Sequence, residues 1–129
     1  MKDYGIGIWG SDNFIIKNGK ICINFGKNPA LIDIVAFLRD EGYKGPLLLR
    51  FPHLIQKQIQ RIYTKFERAK KEFDYKGSFN AVYPLKVNQY PGFVKNLVNF
   101  GKDYNYGLEA GSKAELLLAM AYNNDNAPI

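Results

Sequence analysis

From residue 47 to residue 129 the chain alternates strand-like and helix-like segments three times, and this order constrains the fold more than any other feature. The first run, Leu47-Leu48-Leu49-Arg50-Phe51, is apolar, lacks alternation and is ended by Pro52. Such a run fits a strand covered on both faces, as parallel strands are. Ile55, Ile59, Ile62, Phe66, Ala69 and Phe73 then recur at helical spacing. A turn at 74–77 leads into a second apolar tract, 79–89, and Val94, Leu97 and Val98 carry a shorter helix. A third strand at 106–110 precedes a helix marked by Ala114, Leu117, Leu118 and Ala121. Alternation at this spacing predicts βα units joined by right-handed crossovers into a parallel sheet. Three such strands leave an open sheet edge, and Ile129 reads as the first residue of another strand, so a longer protein is expected.

The first 27 residues have a different character and read as β structure. Phe14-Ile15-Ile16-Lys17 and Lys20-Ile21-Cys22-Ile23 flank Asn18-Gly19, the signal of a two-residue type I′ hairpin. At Asn28-Pro29 the pattern changes. Asn28 is a candidate N-cap with proline at the first helical position, Leu31, Ile34, Val35 and Leu38 share a helical face, and Gly42 is the expected stop. The expected division is thus 1–27 as a β segment and 28–129 as the βα part.

Composition narrows the function classes. No apolar stretch is long enough to cross a bilayer, and the N-terminus lacks a signal-peptide layout. Cys22 is the only cysteine, which excludes an internal disulfide, argues against a zinc site and suits a reducing cytoplasm. It reads as a core residue. His53, the single histidine, reads as a local capping or packing residue, and no metal site is expected. The net charge of +6 could suit an anionic partner, but Lys65, Arg68, Lys70 and Lys71 are interleaved with Glu67 and Glu72 on one helix, the pattern of a solvated face. Nucleotide-binding glycine loops are absent.

The chemistry concentrates in the second and third strands. Alternation places Val82, Pro84 and Lys86 on one side of the strand and Ala81, Tyr83 and Leu85 on the other. An amine at a strand end can form a Schiff base with an aldehyde cofactor if its pKa is lowered; equally, it can snorkel into solvent. Glu109 falls at the corresponding end of the next strand, where neighbouring parallel strands lie about 4.8 Å apart. It can pair with Lys86 or exchange protons with it, or be a partly exposed strand-end glutamate. Ser112-Lys113-Ala114-Glu115 is a capping box: Ser112 accepts from the Glu115 N–H, and Glu115 reaches back to the Ser112 N–H. The same helix terminus faces the strand ends, so a role near the lysine is compatible with capping.

Read together, Tyr4-Gly5-Ile6, Trp9-Gly10, Phe51-Pro52-His53-Leu54-Ile55-Gln56, Val82-Tyr83-Pro84-Leu85-Lys86-Val87-Asn88-Gln89 and residues 107–116 form a collinear series that resembles the biosynthetic arginine decarboxylases. These are pyridoxal phosphate (PLP) enzymes of the alanine-racemase-like barrel class. The resemblance implies an α/β fold: the first three βα units of an incomplete (β/α)8 TIM barrel, preceded by a hairpin belonging to a separate β domain. It implies that Lys86 holds PLP as a Schiff base, that Glu109 is the carboxylate contacting that lysine, and that Glu115 is a second cofactor-side carboxylate. It implies decarboxylation of L-arginine to agmatine in polyamine biosynthesis, magnesium dependence and a cytoplasmic homo-oligomer. The phosphate grip, the histidine stacked on the cofactor and the acidic partner of its ring nitrogen would lie beyond Ile129, so the isolated chain is expected to be inactive. The alternatives are a PLP decarboxylase of the same fold acting on diaminopimelate, ornithine or lysine, and a basic RNA-binding module.

Overall fold

Asn18 and Gly19 both take positive φ, 52° and 72°, as a type I′ turn requires. They join β1 (Phe14–Lys17) to β2 (Lys20–Ile23) in an antiparallel hairpin with Phe14 opposite Ile23. This hairpin lies in the first of two compact units, Met1–Arg50 and Phe51–Ile129, in a computed structural model that describes residues 4–10, 12–124 and 126–129.

The segment before the hairpin departs from the β expectation. Gly5, at φ 68°, turns the chain so that the Ile8 and Trp9 amides both donate to its carbonyl, at 2.8 and 3.2 Å. The result is a single helical turn, α1 (Ile6–Trp9). Trp9 packs on Phe14 at 5.3 Å between ring centroids, and its indole N–H donates to the Tyr4 carbonyl at 2.8 Å.

The following helix starts later than Asn28-Pro29 suggests. Asn28 takes positive φ (55°), the Pro29 carbonyl accepts from the Ile23 amide at 3.0 Å, and Cys22 forms an antiparallel bridge with Ala30. These residues thus continue the hairpin's hydrogen bonding, and α2 (Leu31–Asp40) follows without a side-chain cap. Helix α2 accordingly sits in the first unit, although the sequence pattern groups residue 28 onward with the βα part. Its far end is as expected. Gly42, at φ 89°, closes a Schellman motif in which the Gly42 and Tyr43 amides donate to the Arg39 and Leu38 carbonyls. Cys22 is buried with Ile23 and Ala30.

The expected strand at 47–51 does not form. A strand is completed by a pairing strand, and no strand pairs with this run among the described residues; Leu48 is 73% exposed. The second unit begins instead with α3 (His53–Glu72), the longest helix. Ile59 is buried, and Ile55 and Ile62 pack against the core, while Phe66 and Phe73 are exposed. Tyr63 takes the buried position that helical spacing assigned to its apolar neighbours.

Two parallel strands follow, β3 (Val82–Pro84) and β4 (Gly107–Glu109), paired Val82 with Gly107, Tyr83 with Leu108 and Pro84 with Glu109. They are connected through α4 (Pro91–Gly101), whose Val94, Leu97 and Val98 are buried as their spacing predicts. The Leu108 amide donates to the Pro128 carbonyl at 3.0 Å on the flank of β4 away from β3, so the chain approaching Ile129 lies along β4. A Cβ on Gly107 would collide with that Pro128 carbonyl, which is why glycine stands there. Last comes α5 (Lys113–Tyr122), which buries Ala119 and half-buries Leu118 while leaving Leu116, Leu117 and Met120 exposed. The expected face of Ala114, Leu117, Leu118 and Ala121 is therefore rotated. Leu85, Leu108 and Val94 form the fully buried centre of this unit.

Candidate cofactor-lysine site

The strand ladder ends at Pro84, and the next three residues, Leu85–Val87, tighten into a 3₁₀ turn. Leu85 is fully buried and anchors the turn; Lys86 at its centre is exposed. Lys86 is thus two residues beyond the sheet, on a turn, where the sequence pattern placed it on the strand itself. Proline supplies the reason, since it has no N–H to extend the ladder.

Glu109 closes β4 in register with Pro84 and is half-buried. Paired residues of adjacent strands share a sheet face, so Val82, Pro84 and Glu109 lie on one face, opposite Tyr83 and Leu108. Lys86 and Glu109 therefore leave the sheet at the same end. Among the described residues no hydrogen bond or ion pair engages the Lys86 amine or the Glu109 carboxylate. Glu109 also lines an open groove of about 710 Å³ with Val82, Gly111, Ser112, Leu116 and Ile129.

Glu115 is placed differently. The Ser112 hydroxyl accepts from the Glu115 amide at 3.2 Å, as a capping box requires. The reciprocal arm is shifted by one residue. The Glu115 carboxylate accepts from the Gly111 amide at 2.7 Å, through Oε2, rather than from the Ser112 N–H. Its Oε1 accepts from the Gln89 side-chain amide at 3.4 Å. Glu109 and Glu115 converge on Gly111, where a Cβ would stand 3.6 and 3.4 Å from their respective oxygens.

Behind the turn, Tyr83 packs on Phe93 at 5.3 Å, and burial raises its phenol pKa against the lowering effect of a hydrogen bond to the Asn88 backbone. Tyr106 is raised by burial and, to a smaller extent, by Tyr63 and Tyr83.

Relatives share this arrangement of sequence. The biosynthetic arginine decarboxylase of Parasynechococcus marenigrum strain WH8102 is 39% identical over 128 residues, covering 95% of this chain and 20% of that protein. The enzyme of the same name from Geotalea uraniireducens strain Rf4 is 39% identical over 134 residues, 99% of this chain and 21% of the relative. The crystal structure of the biosynthetic arginine decarboxylase SpeA from Campylobacter jejuni superposes with a TM-score of 0.96 at 81% identity, covering 100% of this chain and 22% of that one.

Over nearly its whole length the chain is similar to one segment of the biosynthetic arginine decarboxylases.

It spans about a fifth of the length of the curated arginine decarboxylases it matches. No family model matches it. No described helix is long and apolar enough to cross a membrane. The described residues contain no group of three His, Cys, Asp or Glu that could hold a metal ion, so the magnesium implied by the resemblance finds no ligand set here. His53 opens α3 with its ring 6.2 Å from that of Phe51, and Lys70 pairs with Glu67 at 2.9 Å on the mixed-charge helix. Two participants were given no role on sequence grounds: Gln89, which reaches a residue 26 positions away, and Tyr83, whose hydroxyl meets the Asn88 backbone. Gln89 carried one signal, its place three residues after the lysine.

Proposed function

We propose that this chain is the cofactor-lysine portion of a PLP-dependent arginine decarboxylase, converting L-arginine to agmatine and CO₂ for polyamine synthesis in the cytoplasm. The observation that carries the reading is the pair of unengaged groups, the Lys86 amine and the Glu109 carboxylate, leaving adjacent parallel strands at the same end. The C-terminal ends of parallel strands are where barrel enzymes place their chemistry, and β3 and β4 with their helices are taken as part of a (β/α)8 barrel. The 1–27 segment is read as belonging to a separate β domain, and the full-length protein as a homo-oligomer.

The residues present fit PLP by their chemistry: a primary amine to hold it covalently and a carboxylate to move the amine's proton. When bound, PLP supplies an electron sink for the charge left by the departing carboxylate. Lys86 must be uncharged to attack, and Glu109 can take its proton and later return it. Glu115, with both oxygens occupied by neutral donors, is read as a structural carboxylate rather than a cofactor contact. Arginine is preferred as substrate because the matched relatives bear that name.

Borohydride reduction of the full-length protein with PLP, followed by peptide mapping, is expected to place the pyridoxyl group on Lys86. CO₂ release is expected from arginine in preference to ornithine, lysine or diaminopimelate. The isolated 129-residue chain with added PLP is expected to release none. A label on another lysine, or release by the isolated chain, would refute the corresponding part.

A further inference from the structure

The Lys86 turn is anchored on its core side, and the residues just after it are tied by hydrogen bonds on its open side. On the core side, Leu85 is fully buried. On the open side, Asn88 Oδ1 accepts from the Tyr90 amide at 3.0 Å, and Gln89 Nε2 donates to Glu115 Oε1 at 3.4 Å. Glu115 is itself fixed at both ends, through Oε2 to the Gly111 amide at 2.7 Å and through its own amide to Ser112 at 3.2 Å. Its carboxylate therefore bridges the segment that directly follows the Lys86 turn and the loop that begins directly after Glu109.

We propose that Gln89 is a positioning residue for Lys86, acting through Glu115 to hold the lysine turn at a set distance from the Glu109 strand end. This rests on the reading of Lys86 as the cofactor lysine. Gln89 suits the task because its amide donates without charge, so a carboxylate can accept from it and from Gly111 at once. A leucine would fill the volume without donating, and a glutamate would set two carboxylates against each other. Displacement of a reacting group by about 1 Å can cost on the order of 100-fold in rate.

The test uses the full-length protein. Gln89→Leu and Glu115→Ala are each expected to release PLP about 10- to 100-fold faster than wild type. The double variant is expected to be no worse than Glu115→Ala alone, since coupled residues are not additive. Glu115→Gln should recover most of what Glu115→Ala loses, because an amide oxygen can still accept from Gly111 while Gln89 turns to suit. In cofactor-free protein, amide exchange across residues 86–90 should quicken in Gln89→Leu. Unchanged exchange and PLP release in Gln89→Leu would overturn the proposal, as would additive penalties or a Glu115→Gln variant as impaired as Glu115→Ala. Borohydride labelling of a lysine other than Lys86 would instead overturn the functional reading, while the exchange result would still decide whether Gln89 holds the turn.

Discussion

The Tyr63 hydroxyl accepts the Ala81 backbone amide at 3.2 Å, tying the middle of α3 to the residue that enters β3. Tyr63 is buried, and its ring meets Phe79, Tyr104 and Tyr106 at 5.2, 4.8 and 6.2 Å. Its polar end therefore has work to do inside an aromatic cluster. Tyr63→Phe keeps the packing and strands the Ala81 N–H. It should cost about 1–3 kcal/mol of stability, the penalty of an unsatisfied buried donor. Urea unfolding of variant and wild type measures it; an unchanged midpoint would show that water replaces the hydroxyl.

Gly107→Ala should be more damaging than its size suggests. The added methyl meets the Pro128 carbonyl, which accepts from Leu108, so the chain beside β4 must move. A loss of about 1–3 kcal/mol is expected from overpacking. Gly7→Ala is the matched comparison, since nothing lies within 4 Å of its new Cβ and it stands in a helical turn. Thermal melts of the two variants should separate clearly.

Much of this was readable in advance, for physical reasons that differ by residue. Asn18-Gly19 announces its turn because few other pairs accept two positive φ values. Val94, Leu97 and Val98 announce a helix face because apolar residues three and four apart fall on one side of a helix, and that side is the one buried. Strand 47–51 failed the same test because apolarity is a property of the run, whereas pairing belongs to a neighbour. Lys86 and Glu109 could be placed at one end of a sheet by spacing alone. The Gln89–Glu115 contact could not, since no local pattern links positions 26 apart.

Alkaline pH should reveal Tyr83 and Tyr106. Burial holds both phenols above their ordinary value of 10, assisted for Tyr106 by neighbouring tyrosines. Below about pH 10 folded and unfolded chains both keep these protons, and stability does not depend on pH through them. As pH rises past 10 the unfolded chain ionises first, so stability falls until the folded phenols ionise too. Phenolate absorbance should show part of the nine tyrosines lagging beyond pH 10. Tyr106→Phe should remove part of the lag; simultaneous titration of all the tyrosines in folded wild type would contradict it.

Replacement at the proposed catalytic pair should separate attachment from proton transfer. Lys86→Ala in the full-length protein is expected to abolish covalent PLP retention. Glu109→Gln should keep the cofactor and lower kcat by about 100-fold or more, the usual worth of a general base. Absorbance of the bound cofactor and CO₂ release report the two effects independently. Equal loss of cofactor in both variants would make Glu109 a binding residue.

Strand β4 is hydrogen-bonded along both flanks, from Gly107 to the Ala81 carbonyl and from Leu108 to that of Pro128. Glu109 thus ends a strand held on both flanks, while Lys86 rides on a turn with a long, unengaged side chain. On the proposed reading the pair divides mobility unequally. The acid is a stationary reference, and the amine is the member that can approach and withdraw. Tuning of turnover speed would then fall on the residues around the lysine's turn, leaving the sheet unchanged.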